Sequence, residues 1–238
     1  DILKALILAA GLGSRLMHET KDLPKALVQV SGKAILSYQL DALISNSIHN
    51  IIIVLGKKGS LIKDFIARKY PNIRVTYVEN LDYECTNSSY SFWLAREYVS
   101  DDQYIHLNCD IIFSGHLLRK IIESRYENVI AIRTDIELDG RMEYVSLNDN
   151  RICQMSINKF DNAKGKAFGL AKLSKESINK LIERLSKYIN DGDRNQNFYG
   201  MIREEVVSDH YHAINCDNSL LLEVNTINDL NVAKGMIK

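Results

Sequence analysis

Proline and cysteine are scarce: two prolines, Pro24 and Pro71, and four cysteines punctuate 238 residues. Cys85, Cys109, Cys153 and Cys216 have no Cys-x-x-Cys spacing, so neither a zinc site nor a disulfide framework is indicated. Charge of one sign is also missing. Thirty basic residues cancel thirty acidic ones, leaving no global field that favours nucleic acid or an anionic membrane. Any phosphate binding must be local. No run reaches the roughly 18 apolar residues that span a bilayer, and no cationic start precedes an apolar core. Neither nucleic acid nor membrane is therefore expected as a partner, and the cytoplasm is the expected compartment. The first residue is Asp rather than Met, which reads as a chain trimmed or cut from a longer product.

What the chain does have is an apolar strand that runs into a small, glycine-bearing, cationic loop. Residues 5–15 read Ala-Leu-Ile-Leu-Ala-Ala-Gly-Leu-Gly-Ser-Arg, and Pro24-Lys25 begins nine residues after the arginine. Glycine lets backbone approach a ligand closely, since no Cβ intrudes. Successive free N–H groups can then cradle phosphate oxygens. Arg15 and Lys25 add a planar fork and a point charge. A tight strand-to-helix turn would also need glycine, for structural reasons alone. Two familiar phosphate templates fail here. The third glycine of a dinucleotide-binding turn is replaced by Leu16, and the Gly-Lys-Ser/Thr of a Walker loop is absent.

Organisation along the chain follows from hydrophobic periodicity. Residues 2–9, 50–55, 73–79 and 103–108 read as strands, and residues 35–46, 59–70 and 87–99 as helices, with Asn87 or Ser88 available as a cap. This alternation, up to about residue 125, predicts an α/β fold with a doubly wound, mostly parallel, Rossmann-like sheet. Residues 128–157 hold short strand candidates with turns at Asp139-Gly140 and Asn148-Asp149-Asn150, predicting a small antiparallel addition in the C-terminal half. Helices over 174–189 and 195–207, strands over 210–214 and 220–224, and a closing helix over 226–236 capped by Thr226 complete the reading. At this length one domain is expected, 1–238, with 1–125 a nucleotide-binding portion and 126–238 an acceptor-binding portion.

Ligands of open parallel sheets bind beyond the carboxyl ends of the strands. Asp110 closes the apolar strand Tyr-Ile-His-Leu-Asn, where a carboxylate is costly unless paired or holding a metal. It reads as a Mg²⁺ ligand or as a turn residue, with Asn108 a partner of that site or a polar strand end. Glu223, late in another apolar strand, is a candidate to converge on the same metal.

The longer pattern Gly11-Leu12-Gly13-Ser14-Arg15…Pro24-Lys25 resembles the nucleotidyltransferase family that makes nucleoside-diphosphate sugars and alcohols. Sugar-1-phosphate members of that family usually carry Gly-Thr-Ala/Gly where this chain has residues 86–94, Thr-Asn-Ser-Ser-Tyr-Ser-Phe-Trp-Leu. That form resembles the choline-phosphate and 2-aminoethylphosphonate cytidylyltransferases. The resemblance implies CTP and a small phosphorylated or phosphonate acceptor as partners, Mg²⁺ as cofactor, and CMP-conjugate and pyrophosphate as products. Arg15 and loop amides would hold the β- and γ-phosphates, and Lys25 would bridge the α-phosphate and the incoming oxygen. Leu8, Ala10, Gly11, Leu12, Gly13, Ser14, Asn87 and Ser91 would bind nucleotide. Mg²⁺ would sit on Asp110 with Glu223 or Asn225. The family commonly has Asp where Asn225 stands, and an amide supplies oxygen but no charge. An anionic nucleophile needs no general base. Replacement of Lys25 by Met is expected to lower turnover by orders of magnitude with little loss of stability.

The second half carries the acceptor. A quaternary ammonium is usually boxed by aromatic faces, and Met142 and Tyr144 fall where such a wall could stand, although the one Trp, Trp93, lies upstream. A primary ammonium would want carboxylates, and Asp135, Glu137, Asp139 and Glu143 lie in one stretch, which also reads as a solvated hairpin face. Lys159 is a candidate for the acceptor phosphate. Two rival functions stand beside cytidylyl transfer. One is sugar-1-phosphate nucleotidylyl transfer and the other is a non-catalytic, nucleotide-binding regulatory module.

Overall fold

The computed structural model describes residues 3–237. Strand β1 (Lys4–Ala9) enters a loop of short 3-10 turns, then a hairpin of β2 (Gln29–Val30) and β3 (Lys33–Ala34). Next come α1 (Ile35–Ser45), β4 (Asn50–Leu55), α2 (Gly59–Lys69), β5 (Arg74–Glu79), α3 (Ser88–Ala95), β6 (Tyr104–Asn108), β7 (Ile111–Phe113) and α4 (Gly115–Ile122). The second half holds β8 (Val129–Arg133), β9 (Glu143–Asn148), β10 (Arg151–Ser156), β11 (Gly165–Leu173), α5 (Lys175–Asn190), α6 (Phe198–Glu205), β12 (His212–Asn215), β13 (Leu221–Glu223) and α7 (Ile227–Met236). Ile2, where the sequence reading begins its first strand, lies outside the described residues.

The main sheet runs in the order β5-β4-β1-β6-β11-β8-β12-β10-β9. Pairing is parallel from β5 to β6. β11 then runs antiparallel between β6 and β8, and β9 and β10 pair antiparallel at the far end. The period-two alternation of the strands explains why both faces are covered. Ala5, Ile7, Ile51, Ile53, Ile105 and Leu107 face α1, α2 and α4, while Leu6, Leu8, Ile52, Val54 and Tyr104 face α3, α5 and α6. Each such Leu or Ile contributes about 1.5–3 kcal/mol by leaving water, so register and two-sided burial are fixed together. The fold is the expected doubly wound α/β sheet with an antiparallel addition.

Differences from the sequence reading have local causes. The 87–99 helix ends at Ala95 and tightens into a 3-10 turn over Arg96–Tyr98. The 195–207 helix starts only at Phe198, because the Asn197 side chain accepts a hydrogen bond from Gly200 N and caps it there. β11 was not foreseen: Lys166, Gly169 and Lys172 break its apolar run. Lys172 is nonetheless buried, donating to the carbonyls of Ile122 and Ser124 just past α4. As predicted, Thr226 caps α7, in a reciprocal capping box with Asp229. No helix among the described residues is long and apolar enough to cross a membrane.

Topology positions the site. β1 and β6 are parallel neighbours, so their carboxyl ends, Ala9 and Asn108, lie side by side. The β7–β13 pair then brings the end of the chain alongside, with Glu223 opposite Ile111 and Val224 N donating to Asp110 O at 2.9 Å.

Candidate active site

The loop after β1 is shaped by Gly13, which adopts φ 63°, a left-handed conformation that costs glycine little. A Cβ there would press to 3.1 Å from Thr20 Cγ2 and 3.2 Å from Lys25 Cβ, so the turn packs against the lysine stem. Thr20 Oγ1 donates to Gly13 O at 2.9 Å and fixes the turn. Gly11 is different. A Cβ on it meets no protein atom within 4 Å, and the residue faces an open cleft.

Lys25 is 9% exposed. Its Nζ donates to Asn225 Oδ1 at 2.6 Å and to Asp110 Oδ2 at 3.1 Å. Three segments far apart in sequence thus meet at one ammonium. The other oxygen of Asp110, Oδ1, is buried without a partner in the protein. Such an orphan is costly, and Mg²⁺ is usually held by one or two carboxylates completed by substrate phosphates. Asp110 Oδ1 and the Asn225 amide oxygen fit that donor set. Among the described residues no three His, Cys, Asp or Glu side chains converge as a self-sufficient cage.

These groups line a cleft of about 440 Å³, within the usual size of small-molecule sites. It gathers Leu8, Ala10, Gly11, Leu12, Gly13, Ser14, Asn87 and Ser91 together with Arg15, Lys25, Asp110 and Asn225. Asn87 caps α3 by accepting from Ser88 N at 2.7 Å. The sequence reading gave no role to Asn80, Tyr83, Glu84, Cys109 or Asn197, which also line the cleft. Asn80, just past β5, donates to Thr86 Oγ1 at 3.0 Å and Ser91 Oγ at 3.1 Å, tying the far wall together. Asn197 reaches the cleft from the cap of α6. Its place directly after the alternating strand that ends at Glu79 was the available signal for Asn80; nothing local marks Asn197. Asn108 lines the cleft because β11 makes room for it. A Cβ on Gly169 would lie 2.3 Å from Asn108 Nδ2.

Other candidates sit elsewhere. Glu223 does not line the cleft; its Oε2 takes Lys166 Nζ at 2.5 Å. Burial and the nearby Asp110 carboxylate push its carboxyl up, with Lys166 opposing. Tyr144 is not an exposed aromatic wall. β9 lies in the sheet, so the ring is 1% exposed and its hydroxyl donates to Gly140 O at 2.6 Å. Met142, just before β9, is partly buried and does not line the cleft either. Lys159 is exposed and donates to Leu138 O at 2.7 Å. Two of the clustered carboxylates are paired within the protein, Asp135 with Arg133 and Glu143 with Arg203. Burial pushes the Cys109 thiol, beside Asp110, up to about 12, so it stays protonated.

A parallel sheet whose strand ends carry a glycine-turn loop, a buried lysine and a half-partnered aspartate defines a nucleoside-triphosphate transferase fold and cleft. Residues 5–184 match the MobA-like NTP transferase domain, and the chain belongs to that family. Over 128 residues it is 30% identical to the CMP-5'-(3-aminopropyl)phosphonate synthase of Streptomyces rubellomurinus, a match covering 54% of this chain and 20% of that protein. It is 28% identical over 196 residues to the CTP:phosphoglutamine cytidylyltransferase of Campylobacter jejuni, covering 76% of each. The fold superposes on the solved CTP:phosphocholine cytidylyltransferase of Streptococcus pneumoniae with a TM-score of 0.81 at 21% identity, over 100% of both chains.

Proposed function

We propose that this protein is a Mg²⁺-dependent cytidylyltransferase that joins CMP to the phosphate or phosphonate of a small acceptor. The observation that carries this reading is the meeting of Lys25, Asp110 and Asn225 beside the loop from Gly11 to Arg15. The two relatives and the superposed structure described above all carry CMP or CTP in their names, which supports cytosine as the base.

An acceptor oxygen attacks the α-phosphorus of CTP, the new O–P bond forms, and the bond to the β-phosphate oxygen breaks to release pyrophosphate. Because the nucleophile is already anionic, the chain needs no general base. Its work is charge neutralisation and alignment. Loop amides and Arg15 hold the β- and γ-phosphates. Lys25, already desolvated and held in place, offers its ammonium to the α-phosphate and the entering oxygen. Asp110 and Asn225 would hold Mg²⁺, which when bound offsets the remaining triphosphate charge. Asn80, Asn87 and Ser91 form the wall that reads base and ribose.

The test is pyrophosphate release with each of four nucleoside triphosphates against phosphocholine, 2-aminoethylphosphonate and glucose 1-phosphate. Turnover is expected with CTP and a phosphorylated or phosphonate alcohol or amine. Turnover confined to UTP or dTTP with the sugar phosphate would replace this reading with sugar-1-phosphate nucleotidylyl transfer. CTP binding with no release in any pairing would leave a regulatory module.

A further inference from the structure

The turn that carries Asp110 is held from behind, by a residue that does not line the cleft. Gln39 lies on α1 and is fully buried. Its Nε2 donates to Asn108 O and to Ile111 O, each at 2.8 Å. Those two carbonyls bracket Cys109-Asp110, the turn between β6 and β7. The Asp110 carbonyl between them accepts from Val224 N at 2.9 Å. The turn is thus gripped by α1 on one side and by the residue before Asn225 on the other.

α1 is joined to the lysine as well. Ile35 N, in its first turn, donates to Val28 O at 3.0 Å, and Val28 N donates to Lys25 O at 3.1 Å. Gln39 stands one turn further along the same helix. One rigid element therefore reaches the lysine segment with its first turn and the aspartate turn with its second. The Gln39 oxygen, Oε1, is buried with no partner in the protein. Such an oxygen costs stability, and the buried neighbours Leu36, Leu40 and Leu43 are all apolar. What the amide supplies is the pair of N–H groups that fixes the turn. A reacting centre has to be held within about 0.5 Å of its productive geometry. Losing a group that orients a metal ligand commonly costs about 10–100-fold in metal affinity or activity.

We propose that Gln39 is a positioning residue, which acts through the backbone of the 108–111 turn to aim the Asp110 carboxylate at Mg²⁺ while Oδ2 stays on Lys25. The proposal rests on the Mg²⁺-dependent cytidylyl-transfer reading above and adds to it the brace that sets the geometry.

The experiment is titration calorimetry of CTP binding without acceptor, in EDTA and across a series of Mg²⁺ concentrations. In the wild-type protein Mg²⁺ is expected to tighten CTP binding. Gln39→Met keeps the reach of the side chain but has no N–H to donate. It should raise the Mg²⁺ concentration that gives half of the tightening by about tenfold or more, and leave the affinity in EDTA unchanged. Leu43→Ala, one turn on and fully buried, removes core packing alone. It should lower the melting point and leave the Mg²⁺ midpoint where it is. An unmoved midpoint in Gln39→Met, or an equal shift in Leu43→Ala, overturns the proposal while leaving cytidylyl transfer standing. CTP binding that Mg²⁺ does not tighten in the wild-type protein removes the metal from that reading and this proposal with it. Should Gln39→Met not fold, by its melting curve, Gln39→Asn decides in its place, since the shorter amide cannot reach both carbonyls.

Discussion

Lys25 Nζ lies 3.1 Å from Asp110 Oδ2 although 85 positions separate them. The contact follows from β1 and β6 being parallel neighbours, which sets the segment after one strand against the segment after the other. Each group offsets the cost of burying the other, so the ammonium is held in place before any anion arrives. Such preorganisation is where enzymes gain most of their electrostatic catalysis.

The same contact alters the expectation for Lys25→Met. Turnover should still fall by orders of magnitude, but the substitution strands a buried carboxylate. It should therefore cost about 3 kcal/mol, visible as a melting point lowered by roughly 6–12 °C. The double variant Lys25→Met/Asp110→Asn should recover most of the stability and none of the pyrophosphate release. Thermal melts of the three proteins check this.

Gly11→Ala and Gly13→Ala should separate ligand space from protein strain. An added Cβ at Gly11 meets no protein atom, so its melting curve should match the wild type while the KM for CTP rises at least several-fold. At Gly13 the left-handed φ and the contacts at 3.1 and 3.2 Å should cost about 1–2 kcal/mol of stability. Equal loss of stability at both positions would remove the distinction.

Chelation with EDTA should stop pyrophosphate release, and added Mg²⁺ should restore it. Asp110→Asn should raise the Mg²⁺ concentration needed for half-maximal rate by an order of magnitude or more, because it removes the negative charge of the carboxylate whose Oδ1 is buried without a partner in the protein. Unchanged Mg²⁺ dependence in that variant would place the metal elsewhere.

His106 predicts an acid-labile core. It is fully buried, stacked on Phe198 with ring centroids 4.0 Å apart, and beside the Tyr104 hydroxyl at 3.0 Å. Burial lowers its pKa from 6.5 to about 3. Between those values the unfolded chain binds a proton that the folded chain refuses, so stability falls as pH drops from 6.5 towards 3. Going from pH 7 to pH 5 should cost about 2 kcal/mol from this residue. In His106→Phe, denaturant melts at the two pH values should lie closer together by that amount.

The nucleotide half was legible in the sequence because its signals are local. The stretch Asn50–Leu55 is apolar after its first residue and became β4 at those bounds. The loop from Gly11 to Arg15 carries its own turn chemistry, and Asp110 stands out as a charge ending a buried strand. The acceptor half was less legible because its decisive contacts join residues far apart. Lys166 and Glu223 are 57 positions apart, and Arg203 and Glu143 are 60. No window of sequence shows that a carboxylate is already taken. Tyr144 failed for a related reason: its place between two sheet neighbours, rather than its residue type, put the ring in the core.

Asn225 lies 200 positions after Lys25, and the β7–β13 ladder is what delivers it. During synthesis the ribosome therefore releases the phosphate loop, Lys25 and Asp110 long before the site is whole. Until residues 221–225 dock, the β7 edge is uncovered and the lysine has one partner in place of two. The nascent protein passes through a stage in which the sheet can form but the reaction centre cannot, and any cut upstream of β13 would hold it there.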